Sequence, residues 1–171
     1  HRMLNYCLTW TKREPNNASA WDHLGGAYIG LKQYKDALNS SRKSLSINPK
    51  QTGAMVNIGY CYLELGRYQD AIEVFKQVLK INPKMTYNWF LLGKGYEKLE
   101  RYSDAVEAYL QRLKIAPKDE RAWFHLGNSY YNLTRYDDAL EAYRQIVKIN
   151  DENDEVWFKI GVTYDALERH N

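Results

Sequence analysis

Five glycines recur at one interval: Gly25, Gly59, Gly93, Gly127 and Gly161 stand 34 residues apart along a chain of 171. A fixed period of that size is the signature of an array in which one supersecondary unit is stacked on the next. The unit cannot bury its apolar face alone, so the neighbouring unit must cover it. The period therefore points to a stacked array with a long concave surface that binds other proteins rather than to chemistry.

The glycines belong to a longer pattern. Trp21-Leu24-Gly25-Tyr28 returns as Met55-Ile58-Gly59-Tyr62, Trp89-Leu92-Gly93-Tyr96, Trp123-Leu126-Gly127-Tyr130 and Trp157-Ile160-Gly161-Tyr164. Offsets of 0, 3, 4 and 7 place these residues on one face of an α-helix. Glycine inside a helix costs roughly 1 kcal/mol relative to alanine. Its return in every unit predicts a close approach that a Cβ would block. A second helix follows after a short turn, opened by Ala37-Leu38, Ala71-Ile72, Ala105-Val106 and Ala139-Leu140. Asp36, Asp70, Asp104 and Asp138 fall in its first turn and Lys80, Lys114 and Lys148 near its last, both complementary to the helix dipole. Pro49, Pro83 and Pro117 end it, and Asp151 takes the proline place in the fourth unit.

The Trp, Leu-Gly, Tyr, Ala, aromatic and closing Pro at these offsets resemble the tetratricopeptide repeat family. The resemblance covers residues 18–51, 52–85, 86–119 and 120–153 as complete repeats. It implies an all-α fold, a right-handed α-solenoid of helix–turn–helix units with about ten helices. Residues 1–17 read as the second helix of a preceding repeat, although Met3, Cys7 and Trp10 fit its apolar places poorly. Residues 154–171 read as the first helix of a truncated repeat, with Leu167-Glu168-Arg169-His170-Asn171 paralleling Leu99-Glu100-Arg101-Tyr102-Ser103. Trp157, Val156, Ile160 and Tyr164 on that last helix call for a covering helix. The chain thus reads as a piece of a longer array, and His1-Arg2-Met3 as including residues left by cloning. Two departures stand out: Ser41 replaces the second-helix aromatic, and Arg112 replaces a small or apolar residue, implying a looser interface or a snorkelling stem.

Composition excludes several function classes. At 44% hydrophobic and 26% charged the chain is ordinary for a folded domain, and no apolar run approaches the roughly 20 residues of a membrane helix. Membrane insertion is not expected. Cys7 and Cys61 have no metal-ligand spacing and suggest a reducing, cytoplasmic setting. A net charge of +3 is too small to suggest a nucleic-acid partner. Its distribution is uneven. Residues 1–85 hold 12 Lys and Arg against 6 Asp and Glu, and residues 86–171 hold 12 against 15. That asymmetry admits head-to-tail self-association, with scattered solvated charge as the plainer reading.

No catalytic constellation is visible. His1, His23, His125 and His170 are too scattered for a triad or a His-x-x-x-His zinc pair, and Gly25-Gly26 lacks the Lys-Ser/Thr of a phosphate loop. No enzyme activity, metal or cofactor is expected. In solenoids of paired helices the first helix of each unit lines the concave face. Counting from the core positions, the candidate partner-binding groove holds Asn57, Tyr60, Tyr87, Phe90, Lys94, Arg121, Phe124, His125, Asn128, Phe158 and Lys159. The row Val56, Phe90, Phe124 and Phe158 is either an apolar floor for a peptide or packing between repeats. Lys94, Arg121, His125 and Lys159 would add basic contacts, and the amides of Asn57 and Asn128 could fork onto a peptide backbone.

Chaperone-binding members of the family grip a C-terminal carboxylate with Lys and Asn, then Asn, then Lys and Arg in three successive units. Matching places here hold Asp22, Gly26, Asn57, Tyr87 and Leu91, or Phe90, Lys94, His125, Glu155 and Lys159. The clamp is not reproduced, so a chaperone C-terminal tail is not the expected partner. The sequence points to a non-catalytic scaffold that binds a protein or peptide ligand. The alternatives are self-assembly through stacking, or a regulatory segment of a larger enzyme.

Overall fold

What ends four of the five glycine-bearing helices is a residue in the left-handed region, and it too recurs every 34 positions: Lys32 (φ 58°), Gly66 (φ 75°), Glu100 (φ 56°) and Thr134 (φ 57°). The next residue's amide then bonds back to the tyrosine carbonyl five residues earlier. These bonds run from Gln33 to Tyr28, Arg67 to Tyr62, Arg101 to Tyr96 and Arg135 to Tyr130, at 2.8–2.9 Å. This is a Schellman close, which satisfies helix-end carbonyls and reverses the chain. The arginines reinforce it. The guanidinium groups of Arg67, Arg101 and Arg135 lie 4.2, 4.7 and 4.5 Å from the centroids of Tyr62, Tyr96 and Tyr130. The same arginines pair with Asp70, Asp104 and Asp138 at 2.6–2.7 Å in the first turn of the following helix. One side chain thus ties the end of one helix to the start of the next.

A computed structural model describes residues 2–170, so His1 and Asn171 lie outside the described residues. Its elements are ten helices: α1 (Arg2–Arg13), α2 (Ala18–Gly30), α3 (Tyr34–Ile47), α4 (Thr52–Glu64), α5 (Tyr68–Ile81), α6 (Tyr87–Lys98), α7 (Tyr102–Ile115), α8 (Glu120–Asn132), α9 (Tyr136–Ile149) and α10 (Asp154–His170). No strand occurs among the described residues. They group into two compact units, divided after Asn88 within the first turn of α6.

In the first unit, α1 packs on α2, α2 on both α3 and α4, and α4 on α5. Cys7, Leu24 and Ala27 form one small core, and Ala37, Leu38, Ile58 and Cys61 another. A Cβ added at Gly59 would stand 2.6 Å from the Phe75 ring, so the glycine is a socket for an aromatic of the second helix. At Gly25 the opposing residue is Ser41, whose hydroxyl has no hydrogen-bond partner. In the second unit, α8 packs on α7 and α9, and α9 on α10. Gly93 and Gly127 receive the rings of Tyr109 and Tyr143, each 2.5 Å from where a Cβ would lie. The core around α9 gathers Leu140, Tyr143, Ile146, Val156 and Ile160.

The repeating tryptophans carry a role beyond packing. Indole Nε1 of Trp21, Trp123 and Trp157 donates at 2.8 Å to the carbonyls of Pro15, Pro117 and Asp151, fixing the loop that precedes each helix. One sequence expectation needs correction. Arg112 is neither a loose fit nor a snorkelling stem: its Nε donates at 2.9 Å to Asp119, whose other oxygen caps the amide of Ala122 at the start of α8. A half-buried cation is admitted because a cap carboxylate already stands opposite it. α10 runs on to His170, and Arg169 pairs with Asp165 one turn back at 2.9 Å.

Candidate functional site

Three expected groove residues of the second unit line one cleft. It has a volume of about 200 Å³ and is bounded by Glu120, Arg121, Phe124, His125, Ile146, Asn153 and Glu155. α8 supplies Phe124 and His125, which directly follow the Trp123 place; Phe124 packs against the α9 core with its ring centroid 6.2 Å from that of Tyr143. α9 contributes Ile146 from the core, and the loop into α10 brings Asn153, whose side chain caps the amide of Val156 at 3.2 Å.

The floor is an aromatic stack held by polar groups beneath it. His125 lies 5.4 Å from Phe90, 5.6 Å from Tyr109 and 6.0 Å from Phe124, measured between ring centroids. Its Nδ1 is 2.8 Å from Glu97 Oε2, and the Tyr109 hydroxyl donates to the same oxygen at 2.7 Å. The Ser129 hydroxyl lies 3.2 Å from the other carboxylate oxygen. A carboxylate acting as acceptor requires the proton on His125 Nδ1, which fixes the ring's orientation. Burial, then the neighbouring Glu97 charge, pushes the Tyr109 phenol far above its ordinary range, so it stays a donor. Tyr143 is likewise raised by burial and donates to Asn128 Oδ1 at 2.8 Å.

The remaining expected residues are placed as follows. Phe90 is only 4% exposed, covered by His125 and by the Arg121 guanidinium 5.4 Å from its ring, so it is packing between repeats. Phe124 is half-buried under Lys159, whose amine lies 5.9 Å from the ring centroid. Phe158 is 70% exposed. This gradient has one cause: the next repeat covers each phenylalanine, and no helix follows α10 among the described residues. The expected apolar floor is therefore not continuous. The expected basic character is also altered. Arg121 leans toward Asp119 (3.7 Å) as well as Phe90, His125 is held by Glu97, and Lys159 lies against Phe124. Lys94 is half-buried. Asn128 has its carbonyl oxygen engaged by Tyr143 and so offers a ligand less than a full amide fork.

In the first unit, the Asn57 amide nitrogen donates to Asp22 Oδ1 at 2.8 Å and to its backbone carbonyl at 3.0 Å, a strut between α2 and α4. Tyr60 is half-buried and Tyr87 exposed. Sequence counting missed Glu97, Glu120, Ile146 and Asn153, and named Glu155 only as a clamp place that does not match. For Glu97 a signal existed: its counterparts 34 and 68 residues earlier are the apolar Leu63 and Ile29. Among the described residues, no group of three or more His, Cys, Asp or Glu could hold a metal, and no helix is long and apolar enough to cross a membrane.

Comparison with known proteins agrees with this architecture. The family profile described as "Tetratricopeptide repeat" matches residues 90–170, and the profile "Anaphase-promoting complex, cyclosome, subunit 3" matches residues 32–111. No curated protein matches the chain. Among solved structures, YrrB, described as a TPR protein with an unusual peptide-binding site, is similar at 19% identity with a TM-score of 0.82, covering 95% of this chain and 84% of that one. MamA from Desulfovibrio magneticus RS-1 is similar at 23% identity with a TM-score of 0.80, covering 88% and 85%. A thermophilic TPR protein of Thermus thermophilus is similar at 18% identity with a TM-score of 0.73, covering 94% and 88%. At these identities the likeness shows the fold alone, an all-α tetratricopeptide solenoid. With repeats of 34 residues, Schellman-closed helix pairs, aromatic rings seated on glycines and a tetratricopeptide profile matching residues 90–170, the chain is built of tetratricopeptide-type helix–turn–helix units.

Proposed function

We propose that the chain is a protein-interaction module with no reaction of its own, and that the cleft beside Phe124 is where a peptide segment of the partner docks. The observation that carries this is the half-open Phe124–His125 floor, oriented from below by Glu97 and Tyr109. A rigid aromatic floor with polar groups at its rim suits a peptide side chain, because little ordering is left to be lost on binding. The YrrB likeness supports a peptide ligand for this fold. The test is selection of a displayed peptide library on the chain, followed by affinity measurement with Phe124→Ala and with Leu110→Ala, which alters a separate depression along α7 and α8. Phe124→Ala should weaken selected peptides about tenfold or more while Leu110→Ala leaves them unchanged. Equal binding by both variants would remove the cleft from the account.

Self-association is the second reading. It is favoured by the exposed side of α10, where Trp157 is 51%, Phe158 70% and Tyr164 41% exposed. Sedimentation equilibrium over a hundredfold concentration range separates the two, since a monomer throughout rejects assembly.

A further inference from the structure

We infer that the first turn of α6 opens locally within the folded chain, a conformational device set beneath the floor of the docking cleft. The opening stands on the geometry of α6 alone; its link to the cleft rests on the reading of that cleft as a peptide site.

The other glycine-bearing helices start alike. Their first i→i−4 backbone bond runs from Trp21 to Asn17 (3.4 Å), Met55 to Gln51 (3.2 Å), Trp123 to Asp119 (3.1 Å) and Trp157 to Asn153 (3.2 Å). Side-chain oxygens of Asn17, Asp119 and Asn153 cap amides of that same turn. The indoles of Trp21, Trp123 and Trp157 strap it to the loop before it. α4 has neither device and is held instead by Gln51, whose amide donates to Asp22 at 2.9 Å.

α6 departs at each of these points. The turn before it is ordinary, with the Lys84 amide on Asn82 Oδ1 at 3.1 Å, as the Lys50 amide is on Asn48 Oδ1. Beyond that turn, Met85 stands at the capping place and has no side-chain oxygen to offer. Among the described residues the Trp89 amide makes no bond to the Met85 carbonyl, and its indole makes none to Pro83. The helix starts at Tyr87, one residue later in the repeat than α2, α4, α8 and α10. Asn88 takes the place of Ala20, Ala54, Ala122 and Val156. It is buried, its amide donates to the Met85 carbonyl at 2.9 Å, and its Oδ1 has no partner. A wound first turn therefore encloses an acceptor that water would satisfy, without the bonds that offset such a cost elsewhere. Gly95, at the place of Ala27, Cys61, Ser129 and Thr163, gives α6 a second glycine and lowers its helix propensity further.

The same helix carries Phe90 and Glu97, the ring and the carboxylate that position His125. Opening that reaches Phe90 takes one ring from the stack under the cleft, so a ligand that needs that floor also winds the helix.

The test is hydrogen exchange of the whole chain, read at Trp89–Gly93 and at the same places of α8 (Trp123–Gly127) and α2 (Trp21–Gly25). An array held by nearest neighbours protects its middle best. The expected result is the reverse, with protection at Trp89–Gly93 about tenfold or more below that at Trp123–Gly127. Equal or higher protection there would overturn the inference. Met85→Asn combined with Asn88→Ala, residues that other units carry at those places, should close the gap and raise the melting temperature. A gap that survives the pair would overturn the cause assigned to it. Trypsin should also cut after Lys84 before it cuts after Lys50, since both sites read Asn-Pro-Lys, and equal cutting would count against the opening. Saturation with a library-selected peptide should slow exchange at Trp89–Gly93 in the parent chain. A peptide that binds without slowing it would overturn the link to the cleft while the opening stands.

Discussion

Thr134 ends α8 with φ at 57°, a conformation that costs an L-residue about 1–2 kcal/mol and a β-branched one more. Gly66 fills the equivalent place without that strain, so the sequence pattern names the remedy. Thr134→Gly should stabilise the chain by about 1 kcal/mol in urea unfolding, the relief of strain exceeding the entropy glycine adds to the unfolded chain. A loss of stability would mean the hydroxyl has a role the geometry does not reveal. Glu97 is the opposite case, a residue whose removal leaves others stranded. Glu97→Ala takes the acceptor from the buried Tyr109 hydroxyl and from His125, and should destabilise by about 2 kcal/mol. Adding Tyr109→Phe to that variant should recover part of the loss, whereas additivity of the two changes would deny the coupling. Both residues show the limit of reading by period. A 34-residue repeat reports what the units share, whereas Glu97 matters because its unit departs from the others.

At the scale of helices the repeat is far more legible. The Leu-Gly-Tyr face, the Ala-led second helix and the helix-ending prolines follow from spacing, because one packing solution serves every unit. The glycine socket sharpens this into a paired prediction. Gly127→Ala drives a methyl into the Tyr143 ring and should lower stability by about 1–3 kcal/mol. Gly161→Ala meets nothing within 4 Å and should raise stability by about 1 kcal/mol through helix propensity alone. Thermal melts of the two variants shifting in the same direction would sink the socket assignment. What spacing could not supply was the end of α10. There the helix runs on to His170, and Arg169 pairs with Asp165 on its own helix. Likewise Arg112 looked like a misfit by position, because its partner Asp119 lies on the next helix and only folding brings them together.

Taken over the whole molecule, the buried acids of both units share one response to pH. Burial pushes the Cys61 thiol up from its ordinary 9.0 to about 11, and it raises the Tyr109 and Tyr143 phenols above their ordinary 10.0. Each holds its proton more tightly folded than unfolded, so its contribution is intact below its ordinary value. It is lost as pH rises, from 9 to 11 for the thiol and from 10 upward for the phenols. Urea midpoints should therefore be level from pH 7 to 8.5 and fall steeply by pH 10.5, and a midpoint unchanged at pH 10.5 would contradict the burial of these groups. The outline of the molecule as a repeat array was readable in advance, but the charge of its binding surface was not. Counting gave basic residues along the groove, and their pairing with buried acids emerges only from three-dimensional neighbours. The most direct test of the central claim is a heteronuclear NMR titration of the chain with a library-selected peptide. Shift changes should cluster at Arg121, Phe124, His125 and Glu155 and vanish for Phe124→Ala. Changes confined to the α7 side around Leu110, or none at saturating peptide, would contradict the account.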